Sequence, residues 1–433
     1  MITAMKPYSF AFCILCLCSA PSAITQAGAD SISTVTRDSL LQAGIRQYSE
    51  ARFNAAVQTL SSVPTDTSSA RALFYLGLSY ASLNDFQNAY DCLRHAVSLD
   101  SSDNAIRFQY ARFLSQFGAV EEAQAQFERI VRSDTTFYPA YFQLGVLLNA
   151  QRKYPAREVE IFSRIVRYEP RDYLSLHFLG DALIRLGQFE AGRSCIATSV
   201  TLNPKHFPAV NQLAGLYFSK GDYNEALRLY LQAESLRPLD PNVAFNIGES
   251  YRKLRNDSAA VGFFEKAMML DSTESKYPAQ LGYAWFGLKL YDSSVTAYRR
   301  AIAIDNENPQ YWLNLALVYQ RMDSAERVVD AFEMAVSASR PDKIADIYSQ
   351  LASFQFRQRD YRAAIKAYSK VLQFDPDLAV AHFYLGMSYD ELKNGQDAAR
   401  HYQTYLKLTE GDTTVTSLRG YARHQIDYLQ KRK

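Results

Sequence analysis

Residues 208–238 read PAVNQLAGLYFSKGDYNEALRLYLQAESLRP. Ala226, Tyr230 and Ala233 stand at spacings of four and three, the stripe of one helix face. The pair Leu213-Ala214 lies ahead of them, and Pro238 stops the second helix because proline cannot continue it. The next 34 residues repeat the plan. Ile247, Gly248 and Tyr251 mark a first helix, Arg255 to Ser258 a polar break, and Ala260, Phe264 and Ala267 a second helix. Small residues let two helix backbones approach while the aromatic beside them fills the remaining space.

The pair of an apolar residue and a Gly or Ala recurs at Ala43-Gly44, Leu76-Gly77, Tyr110-Ala111, Leu144-Gly145, Leu179-Gly180, Leu213-Ala214, Ile247-Gly248, Leu281-Gly282, Leu315-Ala316, Leu351-Ala352 and Leu385-Gly386. The intervals run from 33 to 36 residues, most of them 34. Each unit is a helical hairpin whose apolar face cannot be buried alone, so neighbours stack into an all-α solenoid. The unit resembles the tetratricopeptide repeat over about Asp38 to Thr409. That resemblance implies a right-handed superhelix of about eleven repeats, with the first helix (A) of each lining a concave groove, the second (B) outside, and a role in protein association.

The repeats are not uniform. Pro155 falls near the start of one helix B, and Pro278 falls inside the first turn of one helix A and shortens it. Pro64 cuts the first helix B early. Two extra residues around 337–343, including Pro341, predict a hinge, dividing the array into units one to nine (38–340) and units ten and eleven (341–410). Leu418, Ala422, Ile426 and Leu429 predict an amphipathic helix within 411–433, a cap for the open end that finishes in a basic tail.

The first 29 residues depart from the period. Lys6 precedes an apolar stretch from Tyr8 to Ala20, followed by Pro21 and a small-residue run to Ala29, which reads as a secretory signal peptide. A periplasmic or secreted location is expected. Cys13, Cys16 and Cys18 lie in this stretch, but bulky Phe12, Leu15 and Leu17 precede them where lipid attachment wants a small residue, so an outer-membrane lipoprotein is the weaker reading. Membrane association is then expected only through lipidation or a partner.

The 47 basic and 45 acidic side chains are interspersed, giving a net charge of +2 without the basic face that nucleic acid requires. Glycine-rich phosphate loops and hydrolase motifs are absent, so no enzyme, no catalytic residue, no cofactor and no metal site is expected. The six histidines read as scattered. Cys92 and Cys195 occupy equivalent positions three units apart, too far for a disulfide. Acidic runs such as Asp100–Asp103 and Asp271–Glu274 sit in inter-repeat loops, where capping residues belong and a calcium loop's glycine and glutamate are missing.

One constellation stands out. Two residues before the small residue the chain carries Gln42, Gln109, Gln143, Gln212, Asn246, Gln280, Asn314 and Gln350, interrupted only by Tyr75, Phe178 and Tyr384. An amide offers both donor and acceptor, so a row of them fits the backbone of an extended peptide. The same amides also suit bonding between helices, and both readings stand. One residue earlier come Phe74, Phe108, Phe142, His177, Asn211, Phe245, Leu313 and Phe383, read either as groove anchors or as inter-helix packing. Arg112, Arg185 and Arg252, with Asp181, Glu249 and Arg321, complete the candidate groove. Their mixed signs, and the lack of lysine at the Phe74 position of units two to eleven, argue against a receptor for chaperone tails. The sequence therefore predicts a protein-interaction scaffold or adaptor that holds a partner's peptide or helix. The alternatives are an accessory subunit of an envelope enzyme or of a secretion or assembly complex, and a self-associating solenoid.

Overall fold

The computed structural model describes residues 34–64 and 69–431. The signal-peptide reading of residues 1–29 lies outside them. Every regular element among the described residues is an α-helix, and none is long and apolar enough to cross a membrane.

The chain forms two compact units that divide after Tyr168. The first holds four hairpins, written helix A then helix B. They are Thr34–Ser49 with Phe53–Ser61, Ala70–Ser82 with Phe86–Leu99, Asn104–Gln116 with Val120–Ser133, and Tyr138–Gln151 with Pro155–Tyr168. The second unit holds repeats five to eleven. These are Tyr173–Arg185 with Phe189–Leu202, Phe207–Lys220 with Tyr223–Leu236, Pro241–Lys253 with Asp257–Leu270, Lys276–Gly287 with Tyr291–Ile304, Pro309–Arg321 with Ala325–Ser337, Pro341–Arg357 with Tyr361–Phe374, and Ala379–Glu391 with Gly395–Leu408. A last helix, Thr416–Lys431, follows.

Where the small residue is glycine, it proves to be the notch that closes its own hairpin. A Cβ added at Gly77 would lie 2.8 Å from Leu93, at Gly145 2.6 Å from Phe162, at Gly248 2.7 Å from Phe264 and at Gly386 2.7 Å from Tyr402. Each of these large helix-B residues is almost wholly buried. The notch and its wedge are what hold helix A against helix B, since interiors are packed too densely to leave such a gap unfilled.

Turns obey the same period. Each A-to-B turn places one residue at positive φ: Ala51, Asn84, Gly118, Arg152, Gly187, Gly221, Arg255, Lys289, Asp323, Arg359 and Lys393. Only three of these are glycine, so packing of the hairpin holds the other turns in a backbone region that L-residues avoid. In the B-to-A loops aspartates close Asx turns. Asp100 accepts from the Ser102 amide at 3.0 Å and Asp271 from the Thr273 amide at 2.9 Å. The Ser102 and Thr273 hydroxyls donate to the same carboxyls, and these bonds first, with the amide bonds second, hold both below the usual range; this is the capping role expected of the acidic runs.

The prolines act locally. Pro155 opens its helix rather than breaking it, and Pro278 lies in the first turn of Lys276–Gly287, a helix of 12 residues. Helix B of repeat one stops at Ser61, ahead of Pro64. Around 337–343, helix B ends at Ser337 and the next helix A begins at Pro341, and one apolar cluster from Tyr298 to Leu385 runs across this loop. The last helix follows the repeat register, with Gly420 standing 34 residues after Gly386. It buries Ala422 and Ile426. A Cβ at Gly420 would meet nothing within 4 Å, and Ser417, Arg423, His424 and Asp427 are exposed. It packs in the register of an A helix, with one apolar face buried and a polar face exposed.

Candidate functional site

Residues three or four apart share a helix face, so the amide position and the residues one turn before it and one or two turns after it lie along one stripe of each helix A. In repeat nine that stripe is Gln310, Asn314 and Leu317, and in repeat ten it is Gln350, Ser353 and Arg357. The two stripes face each other across an open trough of about 560 Å³ that Leu313, Gln320, Ser349 and Phe332 also line. Asn314 Oδ1 accepts from Gln310 Nε2 at 2.8 Å. Gln350 is exposed and its amide makes no hydrogen bond among the described residues. Leu317 is 43% exposed, an apolar side chain standing in a polar trough.

The same position in repeat six has a different fate. Gln212 Nε2 donates to Asp181 Oδ1 at 2.8 Å, and Asp181 Oδ2 accepts from Arg185 Nε at 3.0 Å. With the amide so oriented, its oxygen accepts from His177 Nε2 at 2.8 Å, which places the proton of His177 on that nitrogen. His177 Nδ1 is then free to accept from His206 Nε2 at 3.3 Å. Burial holds both histidines below the ordinary imidazole range, and for His206 the charge of His177 adds to it. Gln212 is a structural bridge between adjacent A helices, its amide engaged at both the oxygen and the nitrogen.

The other predicted residues fall between these extremes. Gln109 accepts from the exposed Arg112 at 3.3 Å. Gln143, Asn246 and Gln280 are half-buried. Arg252 makes a two-pronged ion pair with Glu249, at 2.8 and 3.0 Å, and its guanidinium lies 5.0 Å from the Tyr283 ring centroid. The phenylalanine row turns inward. Phe108 meets Phe127 at 5.8 Å, Phe142 meets Phe162 at 6.3 Å and Phe245 meets Phe264 at 5.7 Å between ring centroids, each ring lying against the wedge of its own hairpin. Phe383 is 5% exposed beside Tyr402 and Tyr405, and Phe74 is half-buried against Tyr75. Phe108, Phe142, Phe245 and Phe383 brace helix A against helix B.

Two features escaped the sequence reading. Four of the six histidines are paired: His177 with His206, and His382 with His401 through Nδ1 atoms 2.9 Å apart. Burial first, and the neighbouring His382 second, push His401 down to about 4. The repeat register carries the signal for the first pair, since His206 precedes the helix A that packs after the one bearing His177. The second feature is Glu158, wholly buried where other repeats place Ala89, Ala123 or Ala226, and bonded to Asn149 Nδ2 at 3.0 Å. Cys92 and Cys195 are free and half-buried, and burial pushes the Cys92 thiol up to about 11.

This is the architecture of a helical-hairpin repeat protein, and the comparisons name the repeat. A family model described as TPR repeat matches residues 215–254 and 282–323, and two described as tetratricopeptide repeat match 350–413 and, for the other, 70–103 with 173–206. These segments match the tetratricopeptide repeat, and the remaining hairpins keep their register.

The chain is 22% identical to the BBSome complex member BBS4 of Bos taurus over 330 residues, 73% of this chain and 61% of that protein. It is 21% identical to the anaphase-promoting complex subunit CDC16 of Saccharomyces cerevisiae over 310 residues, 68% of this chain and 36% of that one. It thus spans less than two thirds of either relative's length. A solved tetratricopeptide repeat protein from Parabacteroides merdae aligns at a TM-score of 0.41 with 14% identity, covering 57% of this chain and 98% of that one.

Proposed function

We propose that the protein is a non-enzymatic interaction scaffold outside the cytoplasm, which holds an extended segment of a partner protein against the A helices of repeats nine and ten. The trough of about 560 Å³ carries this reading, because it joins two amides one repeat apart with an uncovered leucine and the Arg357 guanidinium. Amide groups that face solvent bind a peptide backbone without demanding a sequence, while Leu313 and Leu317 offer apolar contact. Two relatives are by name members of multi-subunit complexes, which supports a place in a larger assembly. The location outside the cytoplasm is supported by the apolar stretch from Tyr8 to Ala20 and the small residues after it.

The test is an array of unstructured twelve-residue peptides probed with the full chain, the Asn314→Ala/Gln350→Ala variant and Gln212→Ala. Peptides bound by the full chain should be lost by the double variant and kept by Gln212→Ala. Equal binding by all three would overturn the groove reading. Location is tested separately by fractionating cells and sequencing the N-terminus of the recovered protein. A cytoplasmic protein retaining residues 1–29 would overturn it.

A further inference from the structure

We propose that the first compact unit carries a second binding site, a cationic cleft on its B-helix layer that takes an acidic peptide segment. The cleft, about 600 Å³, lies between helix B of repeat three and helix B of repeat four. Tyr141 forms its floor, itself buried, with the hydroxyl donating to the Val131 carbonyl at 3.1 Å. The walls carry Arg132, Arg157, Arg164 and Arg167.

The arginines divide into two kinds. Arg132 pairs with Glu128 at 3.0 Å, and Arg157 pairs with Glu160 at 2.6 Å. Arg164 and Arg167 have no carboxylate partner among the described residues. Arg164 lies with its guanidinium carbon 5.1 Å from the Tyr141 ring centroid, and its Nε is buried with no acceptor. A stacked guanidinium is held in one plane with its donor edge presented, the arrangement that suits a planar oxyanion. A buried N–H without a partner leaves the guanidinium short of acceptors, and a ligand carboxylate on its Nη edge would supply one.

The spacing selects the ligand. Arg157 and Arg167 stand ten residues apart on one helix, about 15 Å. A lone small anion cannot reach both ends, whereas an extended chain of roughly five residues spans that length. Several carboxylates along such a segment would meet Arg164 and Arg167 directly and compete with Glu128 and Glu160 for the others. The site is on a different helix layer and in a different unit from the trough of repeats nine and ten, so neither proposal depends on the other.

The test is fluorescence anisotropy of a labelled, end-blocked pentaglutamate against the full chain at about 20 mM salt, repeated at about 150 mM because exposed charges are screened. Saturable binding is expected, weakened at least tenfold by Arg164→Gln/Arg167→Gln and unchanged by Arg362→Gln/Lys366→Gln in the other unit. Should the double variant misfold by circular dichroism, Arg167→Gln alone, at an exposed position, should still weaken binding severalfold. Absence of binding at low salt, or equal binding by the cleft variants and the control pair, would overturn the proposal. So would saturable binding of inorganic phosphate that the cleft variant loses while pentaglutamate fails to bind.

Discussion

Repeat six and repeats nine and ten place an amide at one register position, yet Gln212 is locked between two A helices and Gln350 faces an open trough. What differs is the company each keeps. Around Gln212 stand a carboxylate, an imidazole and an arginine that need partners. Around Gln350 stand serines, a leucine and an arginine at the solvent edge. The amide position by itself is therefore neutral as to role, and its neighbours on the adjacent helix A decide between bracing and binding.

The largest expected effect separates the two hairpin types. A Cβ at Gly180 would lie 2.5 Å from Ile196 and 2.7 Å from the Gly192 carbonyl oxygen, a backbone atom that cannot swing aside. Repeat nine already carries Ala316 at that position. Gly180→Ala should cost roughly 2–3 kcal/mol through overpacking, read as faster hydrogen exchange confined to repeat five and its neighbours. A variant as protected as the parent would mean that the notch is not what closes the hairpin.

The comparison itself is broken or kept by a matched pair. Gln212→Leu removes a partner from both His177 and Asp181 and should cost about 1–3 kcal/mol, since each partially buried polar group loses a bond. Gln350→Leu, at an exposed position without a bond, should stay within about 0.5 kcal/mol. Urea unfolding of the two variants beside the parent measures both. Equal losses would dissolve the distinction between bridge and trough.

Acid should find the same difference. His177 and His206 are held below the ordinary imidazole pKa, so the unfolded chain takes up protons first as the pH falls. Their stabilising contribution is complete above about 6.5 and declines below it. His401 behaves likewise, down to about 4. Residues 309–374 contain no histidine. Hydrogen exchange between pH 7 and 4.5 should therefore show repeats five, six and eleven losing protection ahead of nine and ten, and a uniform loss would refute the assignment.

Much of this was legible in the chain before any coordinates. The 34-residue period, the helix A and B stripes and the small-residue pair are direct readings of periodic burial. They hold because each repeat obeys the same local packing rule. The site was less legible. That Phe108 and Phe245 turn toward Phe127 and Phe264 depends on the rotation of helix A about its axis, a few tens of degrees that the spacing does not specify. The fate of Gln212 hung on His177 and Asp181, which lie 35 and 31 residues away. The pairing of His177 with His206 needed the loop before one helix A to be laid over the preceding helix A, and that of His382 with His401 needed the facing of two helices within one hairpin.

The smallest effect concerns the turns that set that rotation. Repeat six turns on Gly221 at φ 88° and repeat nine on Asp323 at φ 55°. An L-residue in this region carries a steric penalty of about 1 kcal/mol that glycine escapes, offset in part by the greater freedom glycine has when unfolded. Gly221→Ala should then destabilise by about 1 kcal/mol. Asp323→Gly should be neutral to stabilising by a few tenths, with the trough of repeats nine and ten unchanged. The N-cap of the following helix is Ser324, not Asp323, so replacing Asp323 removes strain without removing a cap. Thermal unfolding of the pair checks the sign. If Asp323→Gly destabilised as much as Gly221→Ala, the positive φ at repeat nine would be a position the aspartate itself maintains rather than one imposed by the packed hairpin.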